Sequence, residues 1–201
     1  AQLRRNDSYL QEIKILIVVD MQNDFIDGSL GTPEAQAIVP NVINKIQKWD
    51  GAIICTQDTH HWNYLTTAEG KKLPIEHCIE HTDGWNLPLE LRKDLFFKAD
   101  VRMIQKSTFG FKDLFIALQN ETEGSVLIDP IKITEIQLIG LCTDICVVSN
   151  ALLAKAFFPE VPIIVDASCC AGTTPENHKA ALQVMKCCQI DVINEEGTEN
   201  D

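Results

Sequence analysis

The stretch "IKILIVVD" (Ile13 to Asp20) is an apolar run broken only by Lys14 and closed by a carboxylate. A strand covered on one face alternates apolar and polar residues, whereas a strand covered on both faces reads as a near-continuous apolar run. This run therefore predicts a central strand of a parallel sheet, with Asp20 at its carboxyl end. Outward from it, "TPEAQAIVPNVINKIQKW" reads as a helix, with Thr32 as N-cap and Pro33 in the first helical position. "AIICT" (Ala52 to Thr56) is a second strand and "VRMIQK" (Val101 to Lys106) a third, separated by a polar segment rich in His, Asp and Gly up to about Gly84. A helix from about Phe111 to Glu121 leads to a fourth strand, "EIQLIGL", and Thr143 to Phe158 is the helix after it. "PIIVDAS" is a fifth strand, and "QIDVI" a sixth. Between them "TPENHKAALQVMKCC" repeats the cap-then-proline start at Thr174 and Pro175.

This alternation predicts an α/β fold, a Rossmann-like three-layer α-β-α sandwich around a six-stranded parallel sheet. Neither a repeat nor a linker is evident, so one domain over 1–201 is expected. Its core runs over about 13–193, between a polar N-terminal segment and the acidic tail "NEEGTEND".

Apolar residues make up 45% of the 201 and charged residues 23%, as in ordinary soluble globular proteins. A net charge of −12 without a Lys/Arg cluster argues against nucleic acid or anionic lipid as a partner. No apolar run is long enough to span a membrane and no secretory h-region is visible, so a cytoplasmic location is expected. The eight cysteines are read as reduced thiols, because a chain of this length buries a core without covalent staples. Cys55, Cys169, Cys170, Cys187 and Cys188 are read as small apolar core residues.

In parallel sheets ligands bind beyond the carboxyl ends of the strands. Asp20 ends the first strand, Asp58 and His60 lie just past the second, and Lys106 ends the third. "GLCTDICV" (Gly140 to Val147) follows the fourth. Cys142 sits where the backbone turns, and Cys146 falls in the first turn of the next helix, with Thr143 or Asp144 near the N-cap. The unpaired N–H groups and partial positive charge of a first turn, with the Lys106 ammonium, lower a thiol pKa from about 8.5. The same N–H groups can hold an oxyanion, each donor contributing about 3 kcal/mol in a transition state. Cys146 is thus the candidate nucleophile, Asp20 its proton acceptor and Lys106 the electrostatic partner. A zinc site on Cys142 and Cys146 would lack a second pair of ligands.

"VVDMQNDF" (Val18 to Phe25), "KSTFG" (Lys106 to Gly110) and "GLCTDICV" resemble, in order and spacing, the three signatures of the isochorismatase-like cysteine hydrolases. The resemblance covers about Ile13 to Ile193 and is strongest to nicotinamidases. It implies that family's fold and its Asp–Lys–Cys triad, which falls on Asp20, Lys106 and Cys146. It also implies a cis peptide at Leu141–Cys142 and an oxyanion hole made by the backbone amides of Cys142 and Cys146. "QDTHHWNYLTTAEGKKLPIEHC" (57–78) has the D-x-H … H-C spacing of the nicotinamidase metal site. This implies a divalent metal ion on Asp58, His60 and His77, with Glu69 as a further ligand. Carboxylate and imidazole donors suit Zn²⁺ first, and also Fe²⁺ or Mn²⁺. In nicotinamidases the metal holds the pyridine nitrogen, directly or through water.

Phe25 matches a pocket aromatic of the family. Some nicotinamidases carry Trp three residues before the last metal His, where this chain has Pro74, so Trp62, Tyr64 and Trp85 are candidates for the missing ring. His81 stands where the family often has Gly, and His61 and His81 are read as loop residues. The expected protein is a cysteine amidohydrolase that converts nicotinamide to nicotinate and ammonia through a thioester on Cys146. The alternatives are a hydrolase of another small amide or N-carbamoyl compound, a non-catalytic relative, or a redox sensor with a reversible Cys142–Cys146 disulfide. The metal-free isochorismatase branch has no use for Asp58, His60 and His77. By resemblance alone, a homo-oligomer is expected.

Overall fold

The computed structural model describes residues 11–123 and 131–195; residues 1–10 of the polar N-terminal segment and 196–201 of the acidic tail lie outside it. Strand β1 (Gln11–Val19) is buried from Ile15 onward, as its apolar run requires. Strands β2 (Ala52–Asp58), β3 (Val101–Lys106), β4 (Ile131–Leu141), β5 (Ile163–Ala171) and β6 (Asp191–Ile193) join it in one sheet of order β3-β2-β1-β4-β5-β6. Every pairing is parallel. The strand order reverses between β1 and β4, so a crevice opens beyond their carboxyl ends.

Successive side chains of β1 enter two different cores. Ile15, Ile17 and Val19 pack with Leu114 and Phe115 of α5 (Lys112–Glu123), Ala151 of α6 (Val148–Phe157), and Leu182 and Met185 of α7 (Pro175–Cys187). Leu16 and Val18 pack with Ile38, Val42 and Ile46 of α2 (Pro33–Lys48) and Leu91 of α4 (Leu89–Phe96). The sheet thus has helices on both faces, the three layers expected. Each fully buried Leu, Ile or Val contributes about 1.5–3 kcal/mol, so the two cores hold β1 firmly and set the direction of its end.

Thr32 caps α2 by accepting from the Ala35 N–H, and Thr174 caps α7 by accepting from the Asn177 N–H, both with proline in the first turn. Helix α4 is a departure from the sequence reading, which has no helix between Gly84 and Val101. It follows Pro88 without a side-chain cap and buries only Leu91 and Leu95, too short a pattern to display a helical period. Cys55, Cys169 and Cys170 are buried, but Cys187 and Cys188 are exposed, contrary to expectation. The buried face of α7 is Ala181, Leu182 and Met185, and it ends before these two thiols.

Two short helices lie in the connections that reach the crevice: α1 (Asn23–Ile26) after β1, and α3 (Ala68–Lys72) between β2 and β3. Gly140 lets β4 press against the end of β1. Its φ is +116°, the β4–β5 register shifts beside it, and a Cβ there would lie 2.1 Å from the Val19 carbonyl oxygen. The next peptide but one, Leu141–Cys142, is cis.

Candidate active site

Asp20 leaves β1 with φ +47°, a left-handed conformation that few non-glycine residues adopt. Thr56 of β2 secures it: the Asp20 N–H donates to the Thr56 carbonyl and hydroxyl oxygens, each at 3.2 Å, and the Thr56 hydroxyl donates to Asp20 Oδ1 at 2.7 Å. Lys106, the last residue of β3, lays its Nζ 2.7 Å from Asp20 Oδ2 and 3.6 Å from Asp58 Oδ1. The same Nζ donates to Cys146 Sγ at 3.5 Å. The three residues meet in a buried pocket: Asp20 is 0% exposed, Lys106 2% and Cys146 5%. Asp20 Oδ2 makes an ionic contact with Lys106 but no aligned hydrogen bond, so it retains a lone pair for a proton.

Burial pushes the Asp20 carboxyl above its ordinary range, and the Lys106 charge pulls it only partly back. Lys106 is held firmly protonated: burial disfavours its charge, but Asp20, Cys146 and Asp58 together outweigh that effect. The Cys146 thiol is pushed well above its usual value, first by burial and then by the Asp20 carboxylate. This overturns the expectation of a lowered thiol pKa. One ammonium already faces two buried carboxylates, and a resting thiolate would add a third negative charge beside it. The local backbone also differs from the first helical turn expected. Thr143–Val147 is a π-turn, with the Val147 and Ile145 N–H groups both donating to the Cys142 carbonyl. Neither Thr143 nor Asp144 caps it. The Thr143 hydroxyl pairs with His178 Nδ1 at 2.8 Å, and the Asp144 carboxylate accepts from the N–H and hydroxyl of Thr173.

Asp58 ends β2 and turns its other oxygen to a second cluster. Asp58 Oδ2 lies 3.0 Å from His60 Nε2 and 3.8 Å from His77 Nε2. Glu69 Oε1, carried on α3, lies 3.6 Å from His60 Nε2 and 3.7 Å from His77 Nε2. All four donor atoms fall within 4.8 Å of one another. His77 Nδ1 donates to the Ile75 carbonyl at 2.8 Å, which fixes the ring with Nε2 on the side of the carboxylates. Burial raises and hydrogen bonding lowers the Asp58 carboxyl; His60 and Lys106 prevail, and the group sits below its usual range. For His60, burial opposes the charged ring, but the Asp58 hydrogen bond and the Asp58 and Glu69 charges raise it. Two imidazoles and two carboxylates converging on one point fit a divalent cation.

A cleft of about 710 Å³ joins the two clusters, walled by Phe25, Leu73, Phe109 and Ile145 and reaching Asp58, Glu69, His77, Cys142 and Cys146. Phe25 thus lies where expected. Trp62 does not: it is 86% exposed and outside the cleft, because the short turn after His60 directs it to solvent. Tyr64 is fully buried behind the cluster, its ring centroid 4.6 Å from His60 and 4.9 Å from His77, with its hydroxyl donating to the Leu73 carbonyl. It backs the histidines and does not line the cleft. Trp85 donates its indole N–H to the Thr59 hydroxyl and also stands apart. The second aromatic wall is Phe109, inside the quoted "KSTFG" stretch, where the Lys alone drew attention. His61 and His81 are exposed, and His81 takes φ +68°, so this turn keeps a conformation suited to glycine.

The family model for the isochorismatase domain matches residues 14–196. The nicotinamidase of Schizosaccharomyces pombe is 30% identical, with 90% of this chain and 92% of the relative covered. Among solved structures, the nicotinamidase/pyrazinamidase of Bacillus subtilis superposes with a TM-score of 0.74 at 26% identity, covering 90% of this chain and 98% of that one. The pyrazinamidase of Pyrococcus horikoshii in complex with zinc gives a TM-score of 0.67 at 25% identity, covering 90% and 99%.

Proposed function

The chain belongs to the isochorismatase family, and we propose that it hydrolyses nicotinamide to nicotinate and ammonia, with Cys146 as nucleophile. It is a hydrolase acting on amide C–N bonds. The observation that carries the mechanism is the convergence of Asp20, Lys106 and Cys146 around one ammonium, at 2.7 Å and 3.5 Å. The buried thiol stays protonated at rest. As Sγ attacks the amide carbon, its proton passes to Asp20 Oδ2, and the oxyanion is held by the N–H groups of Cys142 and Cys146. Asp20 then protonates the departing ammonia. In the second half it takes a proton from water, the hydroxide opens the thioester, and the proton returns to the released sulfur. Lys106 stays charged throughout.

Asp58, His60, Glu69 and His77 would hold a divalent ion, with zinc favoured by the zinc complex of the P. horikoshii relative. When bound, the ion supplies a Lewis-acid contact for the ring nitrogen of the substrate. Phe25 and Phe109, which both line the cleft, would pack against the ring. A single sheet containing all six strands of the described residues supports one domain over the chain. Family resemblance supports a homo-oligomer, which sedimentation of the purified protein would measure.

A second reading has its own support. Pro74 is exposed and outside the cleft, so no ring narrows that wall, and about 710 Å³ admits amides larger than nicotinamide. Ammonia release from nicotinamide, pyrazinamide and N-carbamoyl amines, with metal analysis of the purified protein, tests both readings. Cys146→Ala abolishes turnover and Cys142→Ala keeps it. Full activity in Cys146→Ala would end the nucleophile assignment, and loss in both would favour a paired-thiol role.

A further inference from the structure

In "VDMQNDF", Asp20 belongs to the triad and Phe25 to the cleft, while Gln22, Asn23 and Asp24 take no part in the reaction above. Their side chains are nonetheless all hydrogen-bonded. Gln22 is completely buried, and its amide pairs with both main-chain groups of Asp58 as a neighbouring strand would. Its Oε1 accepts from the Asp58 N–H at 2.7 Å, and its Nε2 donates to the Asp58 carbonyl at 2.8 Å and to the Trp85 carbonyl at 2.9 Å. Asp24 Oδ2 accepts from the N–H of Cys78, the residue after His77, at 2.8 Å, and Oδ1 accepts from the Ser29 N–H at 3.3 Å. Cys78 has φ +47°, so this bond holds the chain in an uncommon conformation directly beside His77. Asn23 donates from Nδ2 to the Asp83 carbonyl at 2.9 Å and from its N–H to the Asn86 carbonyl at 2.8 Å. The Asp24 N–H donates to the Gly84 carbonyl at 2.9 Å, and a Cβ on Gly84 would fall 2.1 Å from Asp24 Oδ2.

The excursion between β2 and β3 carries His60, Glu69 and His77, yet it has little core of its own. Between Thr59 and Pro88 only Tyr64, Cys78 and Leu87 are fully buried apolar side chains. Polar clamps from the turn after β1 do the work that hydrophobic packing does elsewhere. We infer that Gln22, Asn23 and Asp24 are positioning residues for the metal cluster. Gln22 fixes the main chain of Asp58, Asp24 fixes the loop that presents His77, and Asn23 ties down the returning segment. This rests on the metal cluster of the proposed function. Groups that orient ligands in this way change metal affinity by about 10–100-fold when removed.

The test uses the full-length protein stripped of metal, with Zn²⁺ affinity measured by chelator competition, the absorption spectrum of added Co²⁺, and thermal unfolding of the metal-free form. Gln22→Met and Asp24→Ala should each weaken Zn²⁺ binding by about 10–100-fold and alter the Co²⁺ bands. Asp24→Asn, which keeps an acceptor oxygen for the Cys78 N–H, should bind Zn²⁺ more tightly than Asp24→Ala. Should Gln22→Met not fold, the two Asp24 variants decide. Affinities within a factor of about 3 of the wild type, well short of that range, with unchanged Co²⁺ bands, would overturn the inference, whatever the unfolding midpoint does. A wild-type protein that takes up neither ion would instead remove the metal cluster from the proposed function and this inference with it.

Discussion

Replacing Lys106 by methionine keeps an unbranched apolar stem, one atom shorter, and removes the ammonium that faces Asp20, Asp58 and Cys146. At an effective dielectric of about 20, a unit charge pair 2.7 Å apart is worth about 6 kcal/mol and one 3.6 Å apart about 5 kcal/mol. Burying the ammonium offsets several kcal/mol of this, and breaking such a pair from one side destabilises by about 3–5 kcal/mol. The loss should depend on pH, with a sign that follows from Asp20. Its carboxyl is already raised in the folded protein, and without Lys106 it rises further, so the folded variant holds a proton that the folded wild type has released. The stability gap between them is then smallest at and below the raised folded pKa of wild-type Asp20, which itself lies above the unfolded value of about 4, and opens only from there. It widens by up to about 1.4 kcal/mol per pH unit until the variant's Asp20 ionises. Urea unfolding of both proteins at about pH 5 and about pH 8 measures it. A gap below about 1 kcal/mol, or one that does not change with pH, would refute the account of Lys106 as the counter-charge of a buried acid.

Three further outcomes are expected. Because burial and Asp20 raise the Cys146 thiol, its alkylation by iodoacetamide, followed by peptide mass spectrometry with exposed Cys187 and Cys188 as internal references, should still be accelerating above about pH 8.5; a plateau below that value would contradict a protonated resting thiol. Phe109 is 46% exposed and walls the cleft, whereas Trp62 is 86% exposed outside it. Phe109→Ala should therefore raise the KM for nicotinamide about fivefold, for about 1 kcal/mol of lost contact, and Trp62→Ala should leave kinetics unchanged. Gly140→Ala drives a Cβ against the Val19 carbonyl at positive φ, and urea unfolding should show a loss of about 2–4 kcal/mol, an effect under 1 kcal/mol indicating that β4 can shift aside.

The sheet was legible because its strands are buried on both faces and so appear as apolar runs that local pattern exposes. Asp20, Lys106 and the Cys142–Cys146 segment were legible for a related reason, since chemistry at strand ends follows from sheet topology. What escaped sequence reading depends on contacts across the fold. The π-turn at Thr143–Val147 forms because Thr143 and Asp144 are engaged by α7 and the Thr173 loop, so their capping capacity is used elsewhere. The thiol pKa turns first on burial and then on the Asp20 carboxylate brought in from β1, and neither shows in the local sequence around Cys146. Trp62, Tyr64 and Phe109 could not be sorted by composition, because each is an aromatic residue near a polar motif and only the path of the excursion separates them. Helix α4 carries two buried residues, below the number that shows a period.

Asp58 is shared property. One oxygen faces Lys106 and the other faces the two imidazoles, so a single carboxylate stands in both neighbourhoods of the crevice. Under the proposed function, a lineage that gave up the ion could not simply let the four side chains around it drift. Substituting Asp58 would also change the charge balance around Lys106 and Cys146. Redesign of this scaffold for metal-free work would therefore begin at the end of the second strand.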